Sequence, residues 1–180
     1  MSLKMNASKA NLLVLVGEQF ACVKVAGRAN FATAVDFKTV LAELEKKGFP
    51  YLVIELSECP LMDSTFLGVL AASGIRMNPA NVDCVKQAIE LRNANERLLE
   101  LLENLGVLHL FKTCNGELPQ CEQIDSAPCQ PTREALTRAS LEAHQTLMQI
   151  NPDNVARFKD VTKFLAEDLE RLKGSSSSQN

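Results

Sequence analysis

The most chemically pointed segment of the chain reads Glu55-Leu-Ser-Glu-Cys-Pro-Leu-Met-Asp-Ser-Thr-Phe-Leu-Gly68. A short apolar run ends there, a loop passes Pro60, and a helical pattern begins at Asp63-Ser64-Thr65. Ligand and switch sites of open α/β sheets gather at the carboxyl ends of strands, where such a loop lies. Two kinds of chemistry suit these residues. Asp63 or Ser64 can cap the helix, a side-chain oxygen accepting from free amides of the first turn. The same geometry also presents a hydroxyl to a kinase. A phosphate on Ser64 carries about −1.5 to −2 charges beside the positive end of the helix dipole. The dipole favours that charge and the Asp63 carboxylate opposes it, so a small net effect on folding is expected. A partner surface shaped for an uncharged Ser64 would instead have to desolvate the phosphate, which is costly. Modification would then release a partner without unfolding the domain.

Other chemistries find little support. A serine hydrolase needs a base beside its nucleophile, and the histidines are His109 and His144. His109, between Leu108 and Leu110, reads as a core-edge residue, and His144 as a surface or interface residue of a later helix. Ser64 lacks a Gly-x-Ser-x-Gly elbow. Neither a dinucleotide fingerprint nor a P-loop occurs, and Asp83, Glu90 and Glu96 are scattered. No catalytic residue is assigned and no enzyme is expected. Of the six cysteines, Cys22, Cys59 and Cys84 lie singly. Cys114, Cys121 and Cys129 fall in a loop-like stretch, seven and eight residues apart. No pair has the spacing of a zinc knuckle, so no metal or cofactor is expected. With no signal pattern near residues 11–16, reduced thiols and a cytoplasmic location are expected. A net charge of −3 argues against a broad basic surface for nucleic acid. No apolar run is long enough to span a membrane.

The elements that would position Ser64 follow from periodicity. Residues 11–16 and 20–25 read as two strands joined by a tight turn at Gly17-Glu18-Gln19. From 33 to 47, Phe37, Val40, Leu41 and Leu44 recur at helical spacing and Gly48 stops them. Residues 51–56 (YLVIEL) form a nearly continuous apolar run, as in a middle strand buried by helices. A helix from 64 to 77 follows, with Leu67, Leu70, Gly74 and Ile75 available for one face. The turn Asn78-Pro79-Ala80-Asn81 closes it. A strand over 85–91 and a helix with Leu98, Leu101, Leu102 and Leu105 come next, capped near 93–95 and stopped by Gly106. A last short strand is placed near 110–113. This order predicts an α/β fold with one mixed sheet covered by helices.

Residues 1–10 are read as a tail, 11–114 as the sheet domain and 115–131 as a linker. Over 132–173, Leu136, Ala139, Ala143, Leu147 and Ile150 share one helical face. Asn151-Pro152 restarts a helix carrying Val155, Phe158, Val161, Leu165, Leu169 and Leu172. The very short turn makes these an antiparallel helical hairpin. It either packs on the sheet domain or mediates dimerisation or partner recruitment, and the expectation set here is a homodimer through 132–173. The serine-rich residues 174–180 have nothing to bury and are expected to be disordered.

With these elements placed, residues 11–114 resemble the STAS domain, named for sulphate transporters and anti-sigma factor antagonists. The resemblance rests on the strand 51–56, the signature Asp63-Ser64-Thr65-Phe66-Leu67-Gly68, and Ile89-Glu-Leu-Arg-Asn-Ala-Asn95 followed by Leu98–Leu105, Gly106-Val107 and Leu110-Phe111. In antagonist-type members, the serine after the aspartate is phosphorylated by a kinase that is also an anti-sigma factor. The unphosphorylated form binds that kinase and frees the sigma factor, and a metal-dependent phosphatase resets it. The resemblance thus implies partner switching in a bacterial, cytoplasmic setting. Ser64 would be the phosphoacceptor, with Thr65 second, and Asp63, Thr65, Phe66 and Leu67 would lie at the partner surface. Phe66 departs from the small residue usual in the family, and the hairpin lies outside the minimal domain. An alternative is a STAS scaffold or sensor subunit, with or without a small ligand, whose hairpin drives oligomerisation.

Overall fold

The apolar runs flanking Gly17-Glu18-Gln19 form an antiparallel pair, β1 (Asn11–Val16) and β2 (Ala21–Ala26), with Val14 opposite Val23. Next to β2 lie the parallel strands β3 (Leu52–Glu55), β4 (Ile89–Arg92) and β5 (Lys112–Cys114). A sixth strand, β6 (Glu122–Ile124), pairs antiparallel with the other edge of β1. The order is β5-β4-β3-β2-β1-β6, a single mixed sheet. This is a computed structural model, and it describes residues 10–78, 88–124 and 130–177, with side chains to 174. The early part of the expected strand over 85–91 and the tail 1–9 lie outside the described residues, as do Cys84 and Cys129.

Helices α1 (Phe31–Lys46), α2 (Ser64–Met77) and α3 (Glu96–Asn104) connect the parallel strands. Their inward residues, among them Phe37, Leu41, Phe66, Leu70, Leu98 and Leu102, form one cluster with alternate strand residues such as Val23, Leu52, Ile54, Ile89 and Leu91. Gly106 ends α3 at φ 72°, a left-handed position that suits glycine. Between α3 and β5 the chain makes one 3-10 turn, Leu108–Leu110, so the last parallel strand begins later than apolarity suggests.

Two corrections concern the second half. The stretch read as a linker contains β6, and residues 115–121 carry the chain from one sheet edge to the other. The second helix of the hairpin, α5 (Asn154–Ser177), begins two residues after Pro152 and runs into the tail expected to be disordered. Asn151 instead terminates α4 (Arg133–Ile150), and its Oδ1 accepts from the Asp153 amide. The hairpin itself is present: α5 lies along α4, and Arg133 near one end bonds Asp168 near the other. It forms a layer outside α2 and α1, so α4 packs on the sheet domain. No helix among the described residues is long and apolar enough to cross a membrane.

On β4, Glu90 is buried between Tyr51, whose hydroxyl donates at 2.5 Å, and Arg92 at 2.6 Å. Burial pushes the Glu90 carboxyl up, but hydrogen bonds from Tyr51 and Arg92 and the Arg92 charge outweigh it, leaving it below its ordinary value. Because the folded value is depressed, the stabilisation is present above the unfolded value of about 4.3 and is lost as pH falls through the folded one. Arg92→Ala leaves a buried carboxylate short of its charge partner and should cost about 3 kcal/mol at pH 7. Urea denaturation of both proteins should show that gap narrowing towards about pH 4, in the carboxylate titration range. A gap independent of pH would contradict the assignment to Glu90.

Candidate functional site

Asp63 closes two helices at once. It is the N-cap of α2, its Oδ1 accepting from the Phe66 amide at 2.9 Å. Its Oδ2 accepts from the Phe31 amide, the first of α1, at 2.7 Å. The Asp63 amide in turn donates to the Ala29 carbonyl at 2.9 Å, and Ala29 bridges Met62. The loop after β2 and the loop after β3 are thereby tied side by side at the carboxyl ends of the parallel strands. Asn30 caps α1 through the Ala32 amide.

The capping reading therefore holds for Asp63 and leaves Ser64 free of that duty. Ser64 is the first residue of α2 and half-buried, and its Oγ lies 2.8 Å from His144 Nε2 on α4. The other ring nitrogen, Nδ1, is 2.7 Å from the Ser140 carbonyl, which can only accept. That places a proton on Nδ1, while Nε2 shares its hydrogen bond with the Ser64 hydroxyl. His144 is 5% exposed and meets the Phe158 ring edge-on, with centroids 4.8 Å apart. The sequence argument that Ser64 lacks a neighbouring base is overturned: the base arrives from 80 residues away, on the hairpin. His109, expected at the core edge, is exposed on the 3-10 turn.

The other residues expected at the partner surface are placed differently. Thr65 is buried, with Oγ1 2.9 Å from Ser140 Oγ. Phe66 points inward and stacks on Phe37, with centroids 4.2 Å apart and planes at 20°. Leu67 is also in the core. Phe66 and Leu67 are thus corrected from surface to core: at the third and fourth positions of α2 they face α1 and the sheet. The large ring fills the space between α1 and α2. Phe31, whose backbone amide bonds Asp63, is an exposed aromatic at 53%. Sequence reasoning missed it, although an apolar residue directly after a capping asparagine offers a signal.

Gly68, one turn beyond Ser64, sets how close α4 lies. A Cβ there would stand 2.5 Å from the Ala143 carbonyl oxygen and 2.6 Å from the Ala143 Cβ. Lys38 of α1 pairs with Glu142 of α4 at the rim of the same contact. A groove of about 300 Å³ beside it is lined by Lys38, Val69, Arg76, Glu142 and Gln149 among others.

The chemistry available is a serine hydroxyl hydrogen-bonded to an imidazole, a pair within proton-transfer reach. No carboxylate orients the imidazole, whose second nitrogen is held by a backbone carbonyl of its own helix. Among the described residues, no three His, Cys, Asp or Glu side chains come together as a metal site would need. Cys22 and Cys59 are buried, and burial pushes the Cys22 thiol up to about 12, so it stays protonated and unreactive.

Removing each group should separate the capping role of Asp63 from the role of Ser64. Asp63→Ala loses two helix-end acceptors and should lower stability by about 2–3 kcal/mol. Ser64→Ala loses one partly buried hydrogen bond and should cost about 1 kcal/mol or less. Urea melts of the two variants measure the difference, and an equal loss would mean that Ser64 shares the capping role.

Residues 12–117 match the family model of the STAS domain. No curated protein matches the sequence. A solved structure of an anti-sigma factor antagonist from Mycobacterium paratuberculosis is similar over 59% of this chain and 86% of that one, at 19% identity and a TM-score of 0.49. The family match spans the sheet from β1 to β5 with the three helices between its strands, and stops before the hairpin. The chain belongs to the STAS domain family.

Proposed function

We propose that this protein is a non-enzymatic, phosphorylation-controlled binding domain of the anti-sigma factor antagonist type, with Ser64 as its phosphoacceptor. The observation that carries this reading is the division of labour at the start of α2. Asp63 supplies the cap, so the Ser64 hydroxyl is not needed to hold its own helix. It sits at the carboxyl edge of the sheet, where a change of charge can be read by a partner. Thr65 is the weaker candidate, being buried against Ser140. The partner surface would consist of Ser64, the edge of Asp63 and the exposed Phe31 ring, with Phe66 and Leu67 supporting it from the core.

The partners in this reading are an anti-sigma factor that is also a serine kinase, and a metal-dependent phosphatase that resets the domain. Family membership and the serine's place in the motif support both. The setting is the bacterial cytoplasm. The Ser64–His144 pair does not by itself argue for catalysis, since an acyl or phosphoryl transferase also needs oxyanion donors.

Affinity purification of the full chain from its native cells, with phosphosite mapping, tests the reading. Wild type should recover a kinase-like protein and carry phosphate on Ser64, whereas Ser64→Asp should lose that partner. Phe31→Ala should weaken recovery at least tenfold without changing the fold. Identical partners for all three proteins, with Ser64 unmodified, would sink the proposal.

A second reading, a STAS scaffold that oligomerises through its hairpin, draws on the outer face of α5. Phe164 is 60% exposed there, with Val161 and Val155 also exposed. Light scattering should then show a dimer that Phe164→Asp converts to monomer, and a monomeric wild type would remove this reading.

A further inference from the structure

The α4–α5 hairpin packs against the start of α2, where Ser64 lies. It lies outside the matched residues 12–117, yet α4 contributes the atoms that touch the start of α2. His144 Nε2 takes the Ser64 hydroxyl at 2.8 Å, Ser140 Oγ meets Thr65, and Ala143 rests on Gly68. We propose that the α4–α5 hairpin is a cis-acting cover of the Ser64 face, and that its docking and phosphorylation of Ser64 exclude one another. This deepens the proposed function by assigning its regulation.

Geometry carries the exclusion. On phosphorylation, Ser64 Oγ attacks the terminal phosphorus of a nucleoside triphosphate. The new Oγ–P bond forms as the bond to the nucleoside diphosphate breaks, and the hydroxyl proton passes to the kinase's base. The product needs room for three further oxygens where only 2.8 Å separates Oγ from the imidazole. The helices cannot tilt together to make it, because Gly68 and Ala143 are already in backbone contact one turn away. A phosphate in the position that Oγ now holds would displace the imidazole and the α4 segment that carries it.

The contact is built in a way that permits such movement. Over Ser64 and Gly68, α4 presents Ala139, Ser140, Ala143 and His144, with Leu147 the one large apolar residue buried further along. Small side chains and polar contacts forfeit less apolar burial on separation than a row of leucines would. The stronger anchor is at the turn between the helices. There the buried Asn154 side chain donates to the Leu105 and Leu147 carbonyls at 2.9 Å, and Asn151 lies against Gly106. The hairpin is therefore pinned at its turn to the end of α3.

Hydrogen exchange followed by mass spectrometry on the full chain tests this directly, with phosphoserine installed at position 64 by amber suppression. Amides of α4 should exchange at least tenfold faster than in the unmodified chain, while those of β2, β3 and β4 keep their protection. Gly68→Ala should reproduce the effect without charge, since alanine favours the helix itself but its methyl collides with Ala143. Unchanged protection of α4 in the phosphoserine chain would overturn the proposal. Loss of sheet protection together with α4 would also overturn it, showing the hairpin to be part of the fold rather than a cover. Because the phosphate is installed directly, a failure to find Ser64 modified in cells would sink the proposed function and leave this result standing.

Discussion

One carboxylate fixes the geometry on which the rest of the site depends. Asp63 receives the third amide of α2 and the first amide of α1, and its own amide holds the neighbouring loop. Two helix N-termini that would each leave free donors are closed by a single side chain. With both ends fixed, α1 and α2 stand side by side, Phe37 stacks on Phe66, and the first residue of α2 projects its hydroxyl away from the sheet. The capping that folds the domain and the presentation of Ser64 are one arrangement. A residue that looked like either a cap or a switch is relieved of the first role by its neighbour.

The α2 helix explains why a cover exists at all. Between Thr65 and Ile75 its polar side chains are Thr65 and Ser73, and both are buried. A helix apolar on nearly all sides needs burial on nearly all sides. The sheet and α1 cover part of it, the 3-10 turn reaches Gly74, and α4 takes the remaining stripe through Gly68. In a domain that binds a partner through this region, that stripe would otherwise face solvent or the partner. The hairpin resolves the exposure within the chain, and the Ser64–His144 hydrogen bond lies at the edge of that contact.

Much of this was legible in the sequence, and the failures have physical causes. The sheet, its mixed character, α2 from Ser64 to Met77 and the helical hairpin follow from periodicity and from glycine and asparagine stops, because those signals are local. The strand β6 carried no signal: Glu122, Gln123 and Ile124 show no buried face, and the strand exists because β1 has a free edge to pair. A motif position does not say which way the Phe66 ring points, and the partner that decides it, Phe37, lies on another helix. His144 was set aside as a base because its partner is far along the chain and no spacing rule joins them. Its helix did carry a clue. Ser140 and His144 stand four apart beside Ala139 and Ala143, a face of small and polar residues suited to close helix contact rather than to a leucine-rich core.

Under the proposed cover, the Ser64 hydroxyl is held against His144 in the folded chain and freed when α4 leaves. Replacing Ser64 by cysteine and following its alkylation by a maleimide, with the labelled site located by peptide mass, measures that covering directly. Labelling should be clearly slower than that of a free thiol, with a large acceleration when Gly68→Ala is added. Labelling of the Ser64→Cys protein at the rate of an unprotected thiol, indifferent to Gly68→Ala, would contradict it.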